Sequence, residues 1–327
     1  MRGLLVEEWT EFDKLEIKEI PHPALGPKEV RLATKACGVS FATSLFVAGK
    51  YQRRPPLPFV PGTEAAGVIT EVGSEVTRFQ PGDRVCAVLD WGGLAEEAVA
   101  KAVNVFPIPD SLPFAESIAF TNSYHTSYAA LVWPHLARLR AGETLLVHGA
   151  AGGVGIAAVE IGKILGATVI GTAGSPEKLE AVKAHGADHA IDYRSGPFRD
   201  AVLDLTGGKG ANVILDPVGG EVFAQSLRCI APEGRILPIG FAGGTIQSIP
   251  ANLLLVKNVT AIGFFWAHYR KTHPDWVSAA HHRMFGWWRE GKIRPVTSHQ
   301  FPLAEFVAAM QVIRGREAIG KVVLQVR

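Results

Sequence analysis

Cysteine is scarce in this chain: Cys37, Cys86 and Cys229 are the three among 327 residues. They lie too far apart for a disulfide framework, and no Cys-x-x-Cys pair suggests a zinc knuckle. An excess of one charge is also missing. Lys and Arg number 33 against 31 Asp and Glu, a near balance that argues against a nucleic-acid binder with its basic face. No apolar run reaches the roughly 18–20 residues a membrane span needs. The opening MRGLLVEEWT acquires acidic side chains too early for a secretory signal. Internal repeats are absent as well. A cytoplasmic chain with neither membrane nor nucleic-acid partners is therefore expected.

What is present is material for a full core. Hydrophobic residues make up 47% of the chain and charged ones 20%, which excludes disorder and leaves one very large domain or two ordinary ones. Gly (35) and Pro (21) are plentiful. They stand as punctuation between apolar runs, so many short elements are expected.

Three stretches differ in pattern. Residues 1 to about 120 read as mostly β, with short β-branched runs at Glu29–Ala36, Ala65–Val72, Arg84–Leu89 and Glu97–Val99. From about 140 to 264, strands alternate with helix-length segments. The strands are Thr144–His148, Thr168–Thr172, His189–Ile191, Asn212–Leu215, Arg235–Ile239 and Val259–Gly263; the helices are Val154–Leu165, Pro176–Ala184 and Glu221–Ile230. That alternation predicts an α/β class with a doubly wound parallel sheet of the size of a dinucleotide fold. Residues 265–327 are mixed, with a helix at Leu303–Arg314, a last strand at Lys321–Gln325, and a tail able to return to the first stretch.

The strongest local signal is Gly149-Ala150-Ala151-Gly152-Gly153-Val154-Gly155, placed after an apolar strand and opening a helix. Glycine lets backbone approach a pyrophosphate, and the helix N-terminus supplies unpaired N–H groups and a positive dipole end. Gly152 and Gly155 fill the second and third glycine positions of G-x-G-x-x-G, and Ala150 replaces the first. An NAD enzyme usually has Asp or Glu at the end of the second strand to grip the ribose. Here that end reads Gly171-Thr172-Ala173-Gly174-Ser175-Pro176-Glu177-Lys178. The acid is replaced by small residues, with a hydroxyl and a cation following, which suits a 2′-phosphate and hence NADP.

Gly62-Thr63-Glu64-Ala65-Ala66-Gly67, Pro81-Gly82-Asp83-Arg84-Val85 and the glycine turn, in that order and spacing, resemble the medium-chain dehydrogenase/reductase superfamily. Gly186-Ala187-Asp188 with Tyr193, Leu215–Gly220 and Gly320–Leu324 extend the likeness over essentially the whole chain. The nearest branch is the zinc-independent NADPH:quinone oxidoreductases, which include ζ-crystallin.

The resemblance implies a GroES-like catalytic domain from residues 1–122 and 265–327, and a Rossmann domain from 123–264, with NADPH in the cleft. It implies 2′-phosphate recognition by Ser175, Lys178 and Tyr193, and pyrophosphate contact at Gly152, Gly153 and Val154. It sets Ile239, Gly240, Phe241, Phe264, Phe265, Trp266 and Thr126 on the nicotinamide side. Gly174, Val218 and Lys321 complete the cofactor-binding set. Ser40 and Tyr51 fall in the substrate-side segment and are the candidate catalytic residues. Ser40 and Leu45 stand where members often carry Asn and Tyr, leaving a smaller, more apolar mouth. A homodimer joined along Val259–Gly263 is expected.

Metal is not. Cys37 stands where zinc-dependent relatives place a first ligand, but Thr63 replaces the ligand histidine and the four-cysteine lobe is missing. His268, His273, His281 and His282 fit no standard site and read as a surface or lid feature. The expected activity is hydride transfer from NADPH to a quinone or related conjugated carbonyl. The alternatives are an enoyl-thioester (acyl-CoA type) reductase, for which Arg53-Arg54 offers the only basic contact, and a low-turnover, crystallin-like cofactor-binding protein. A zinc alcohol dehydrogenase is opposed by Thr63.

Overall fold

The computed structural model describes residues 1–326 and divides into two compact units, one of residues 1–122 with the chain from Pro295 on, the other Ser123–Arg294.

The first unit holds strands β1 (Arg2–Leu4), β2 (Ile17–Glu19), β3 (Glu29–Val39), β4 (Glu64–Val72), β5 (Arg84–Val88), β6 (Glu97–Lys101) and β7 (Val105–Pro107), and, from the returning chain, β14 (Thr297–Pro302) and β15 (Lys321–Gln325). Its seven-stranded sheet runs β14-β15-β3-β4-β5-β7, with β6 also paired to β3. Helices α1 (Phe41–Val47), α2 (Phe114–Ala119) and α11 (Phe306–Arg314) accompany it. Val30, Leu32, Ile69 and Val85 fill one core, while Phe12, Val39, Phe306, Met310 and Val322 fill another. The chain's end joins its beginning by strand pairing, Leu324 lying opposite Cys37 in antiparallel register.

The second unit holds a six-stranded parallel sheet of β8 (Thr144–Val147), β9 (Thr168–Ala173), β10 (His189–Asp192), β11 (Ala211–Asp216), β12 (Ile230–Pro238) and β13 (Thr260–Ala261). The order is β10-β9-β8-β11-β12-β13, the doubly wound dinucleotide order with the switch point between the first and fourth strands. Leu145, Leu146 and Val147 are wholly buried, because a central parallel strand is covered on both faces. Helices α3 (His125–Val132), α4 (Gly153–Ile164), α5 (Pro176–Ala184), α6 (Phe198–Leu205), α7 (Glu221–Cys229), α8 (Ala251–Lys257), α9 (Trp266–Thr272) and α10 (Pro274–Arg289) complete the unit.

The sequence reading returns the chain to the first unit at residue 265; in the structure residues 265–294 stay with the second. Aromatic packing explains the shift: Trp266 stacks on His125 at 5.0 Å between ring centroids and Trp287 packs on Tyr128 at 5.6 Å, both against α3.

A buried carboxylate secures that arrangement. Glu160, in the third turn of α4, accepts from the Tyr124 hydroxyl at 2.6 Å, lies 2.7 Å from His185 Nδ1, and accepts from the backbone N–H of Arg294 at 3.2 Å. Tyr124 and Arg294 lie at the two ends of the segment that forms this unit.

Candidate functional site

The glycine turn has the geometry its sequence calls for. Gly149 has φ +55°, and a side chain at Gly155 would sit 2.3 Å from the Gly149 carbonyl oxygen. Helix α4 therefore closes tightly on the turn only with glycine there. Gly152 caps the helix, and the first bond of its ladder is Ile156 N–H to Gly152 O at 2.8 Å. The amides of Gly153, Val154 and Gly155 precede that first rung, as the anion-binding end of a helix should. Ser127 on α3 steadies the turn, its hydroxyl donating to Val154 O at 2.7 Å.

At the end of β9, Gly174, Ser175 and Tyr193 come together. A Cβ at Gly174 would fall 2.3 Å from the Tyr193 hydroxyl, so the tyrosine tip lies directly over that glycine. Ser175 caps α5, its Oγ accepting from Lys178 N–H at 3.3 Å. Lys178 thus stands in the first turn of that helix. Small residues, with Ala173 where an acid would stand, lie here beside the Tyr193 hydroxyl and the start of the helix that carries Lys178.

A relay that sequence reading missed lies behind it. Ser226 donates to Val222 O at 2.7 Å, so it accepts from His148 Nε2 at 2.8 Å, which leaves His148 Nδ1 to accept from the Thr172 hydroxyl at 3.1 Å. Burial lowers the His148 pKa to about 3, so the ring is neutral and its tautomer set by the network.

Val218 sits in a turn held by Asp216, also not anticipated. One carboxylate oxygen accepts the N–H groups of Val218 and Gly219 at 2.8 and 3.0 Å. Burial pushes this carboxyl up, and those two amides pull it down. Asp-x-x-Gly-Gly after an apolar strand is the signal that could have exposed it. Gly240 and Phe241 belong to the next loop, which joins the Val218 turn through Ala242 N–H to Pro217 O at 3.0 Å and Gly243 N–H to Val218 O at 2.8 Å. Ile239 N–H donates to Asp216 O at 2.7 Å. These predicted positions therefore lie together at the carboxyl ends of β11 and β12, where open α/β sheets bind ligands. Phe264 and Phe265 precede α9; Phe265 is exposed, whereas Trp266 is buried beside helix α3, on which Thr126 is also buried. The histidine group splits: His268 and His282 are exposed, but His281 is buried, stacked on His125 and Phe285, so it is core rather than a surface feature.

The first unit carries Ser40 and Tyr51, the residues expected on the substrate side. Ser40 forms a capping box for α1 with Thr43. The Tyr51 ring stacks on Phe46 at 4.1 Å, and burial raises its hydroxyl pKa. Cys37 is fully buried, its thiol donating to Gly93 O at 2.6 Å. Asn122, which no sequence signal marks, donates from Nδ2 to Thr63 Oγ1 at 3.3 Å. Lys321, expected with the cofactor, forms a buried ion pair with Glu64 at 2.5 Å. A strand-borne lysine surrounded by core has only the nearest buried acid to neutralise it.

The chain matches two family models, the alcohol dehydrogenase GroES-like domain over residues 26–110 and the zinc-binding dehydrogenase over residues 153–281. It is 44% identical over 306 residues to a quinone oxidoreductase-like protein 2 homolog of Nematostella vectensis, covering 93% of this chain and 83% of the relative. The structure of Escherichia coli quinone oxidoreductase complexed with NADPH superposes with a TM-score of 0.91 at 26% identity, over 99% of this chain and 100% of that one. The CurK enoyl reductase superposes with a TM-score of 0.89 at 27% identity, over 100% and 99% of the two chains. With its motifs, its two folds and these relatives in agreement, the chain belongs to the quinone oxidoreductase branch of the medium-chain dehydrogenase/reductase superfamily, a family of oxidoreductases.

Proposed function

We propose that the protein reduces a quinone or related conjugated carbonyl with NADPH and without a metal ion. The observation that carries the reading is the end of β9, where Gly174, Ser175 and Tyr193 meet beside the helix bearing Lys178 and no acid competes for the ribose. NADPH supplies the hydride when bound. The residues of the second unit then hold and orient it: the amides of Gly153 and Val154 for the pyrophosphate, Ser175, Lys178 and Tyr193 for the 2′-phosphate. The Val218 turn, Ile239–Phe241 and Phe264–Trp266, with Thr126, serve the rest of the dinucleotide. In the first unit, Ser40 and Tyr51 line the substrate side.

Donor chemistry supports metal independence. Thr63 is a poor zinc ligand, the Cys37 thiol is spent on Gly93, and among the described residues no group of three or more His, Cys, Asp or Glu could hold an ion. A conjugated acceptor spreads its own developing charge, so alignment and hydrogen bonding can replace a Lewis acid. Elemental analysis should find no stoichiometric zinc, and chelator should leave activity intact.

Turnover of NADPH with a panel of quinones and enones is the deciding experiment. Rapid oxidation by quinones supports the reading, and no turnover with any of them rejects it in favour of the low-turnover, crystallin-like alternative. The likeness to the CurK enoyl reductase favours a second reading, reduction of an enoyl thioester, and a crotonyl thioester in the same assay discriminates. Of the Arg53-Arg54 pair that reading needs, Arg53 is paired with Asp90 at 2.9 Å.

The protein acts as a homodimer and in the cytoplasm. β13 is a two-residue edge strand, and Leu255 and Val256 on the neighbouring α8 are 76% and 67% exposed, an apolar edge that a twofold partner would cover. A monomer by light scattering at micromolar concentration would reject it. No helix among the described residues is long and apolar enough to cross a membrane.

A further inference from the structure

Several polar side chains of the first unit are already committed. The Lys321 ammonium is held by Glu64, the Cys37 thiol by Gly93 O, and the Ser40 hydroxyl faces Thr43 Oγ1 at 3.3 Å. Tyr51 lies flat on Phe46. Thr63 differs. Its Oγ1 accepts from the Asn122 amide, and a hydroxyl whose oxygen is taken by a donor directs its own proton elsewhere. It is half-buried, at the start of β4, where Glu64 is already in the core.

The turn leading into Thr63 is tied down by its backbone. Leu89 N–H donates to Thr63 O at 2.9 Å, and Gly92, Gly93 and Leu94 donate to Val60, Gly62 and Pro61 at 2.7, 3.0 and 2.9 Å. Gly62 has φ +97°, and a Cβ there would meet Leu94 N at 2.9 Å, so the turn before Thr63 is fixed by glycine. Asn122 comes from a π-helical turn, Phe120–Tyr124, a distortion that frequently marks functional sites. A hydroxyl oriented by a second side chain on so rigid a frame is preorganised as a donor to developing negative charge.

We infer that Thr63 is a catalytic residue, donating its hydroxyl proton in a hydrogen bond to the oxygen that becomes anionic on reduction, with Asn122 as its positioning residue. The inference rests on the reading that the protein reduces conjugated carbonyls. Hydride addition to a quinone leaves one oxygen anionic as the dinucleotide is oxidised. Thr63 stabilises that oxygen without giving up its proton, and the oxygen takes a proton from water to complete the hydroquinone.

The test uses the full chain with Thr63→Val, Thr63→Ser and Asn122→Ala, each checked for folding by circular dichroism. Removing one donor to a charged group should lower kcat ~10- to 100-fold in Thr63→Val, with KM for benzoquinone and the Kd for NADPH within about threefold. Thr63→Ser should restore kcat to within about threefold, and Asn122→Ala should fall between the two at unchanged KM. Pentafluorophenolate, an anionic oxygen already formed, should bind Thr63→Val ~10- to 100-fold more weakly by calorimetry. Unaltered kcat and unaltered phenolate affinity in Thr63→Val overturn the inference. If the unaltered protein reduces no conjugated carbonyl, the functional reading fails, and phenolate binding alone then decides the role of Thr63.

Discussion

Glu64 and Lys321, 257 positions apart, form a buried ion pair at 2.5 Å, with side chains 4% and 6% exposed. Gly38 makes room for it, since a Cβ there would overlap a Glu64 carboxylate oxygen. The pair joins the start of β4 to the start of the last strand. Removing one partner strands a charge in the core. Lys321→Ala should therefore cost about 3–5 kcal/mol in denaturant unfolding, whereas the double variant Glu64→Gln, Lys321→Met should recover much of it. A cost below about 1 kcal/mol for the single variant would show that the pair is solvated in solution.

Cofactor choice is decided at the end of β9. NADPH should bind well over tenfold tighter than NADH, because a charge-assisted phosphate contact contributes roughly 1.5–3 kcal/mol. Lys178→Ala should remove most of that preference. Equal dissociation constants for the two cofactors with the unaltered protein would falsify the assignment.

The two glycines of the turn should fail differently. A Cβ at Gly152 meets only the Gly149 carbonyl, at 3.3 Å, whereas one at Gly155 meets that oxygen at 2.3 Å and Ala150 Cα at 2.6 Å. Gly152→Val should fold and lose NADPH binding, its side chain occupying the pyrophosphate position. Gly155→Ala should lose thermal stability first. Equilibrium binding and melting curves on both variants separate the two effects, and normal NADPH affinity in Gly152→Val would remove the turn from the cofactor site.

His148 sets a pH dependence of stability. Its folded pKa lies near 3, against 6.5 for an unperturbed ring. Between those values the unfolded chain takes up a proton that the folded one refuses, so stability falls as pH drops from about 6.5 toward 3, by up to about 1.4 kcal/mol per pH unit from this group. Above pH 6.5 the ring is neutral in both states and contributes no slope. Urea unfolding across that range, with His148→Gln as the comparison, measures the contribution; identical slopes in the two proteins would count against a neutral buried ring.

Local signals made much of this legible. Pro176–Ala184 was expected as a helix from Ser175 and Pro176 at its start, and the structure begins and ends that helix at the same residues. Lys321–Gln325 is likewise a strand over the expected span. Helix α6 escaped because it is short and only Phe198 and Val202 are buried, with Leu203 half-buried beside them among charged neighbours. The last sheet strand is two residues rather than five, since an edge strand has one neighbour and β12 supports it only at Arg235 and Ile236. The second unit's end at Arg294, and the pairs Thr63–Asn122 and Glu64–Lys321, depend on contacts between residues distant in the chain. No local pattern encodes such contacts.

The Glu160 cluster has a consequence for the chain's modularity. Because Tyr124 and Arg294 fasten to one side chain, residues 123–294 form a loop whose two ends meet at a single point. A segment closed in this way behaves as a cassette. Cuts placed on either side of it would leave its ends together, the arrangement that inserted domains with neighbouring termini share.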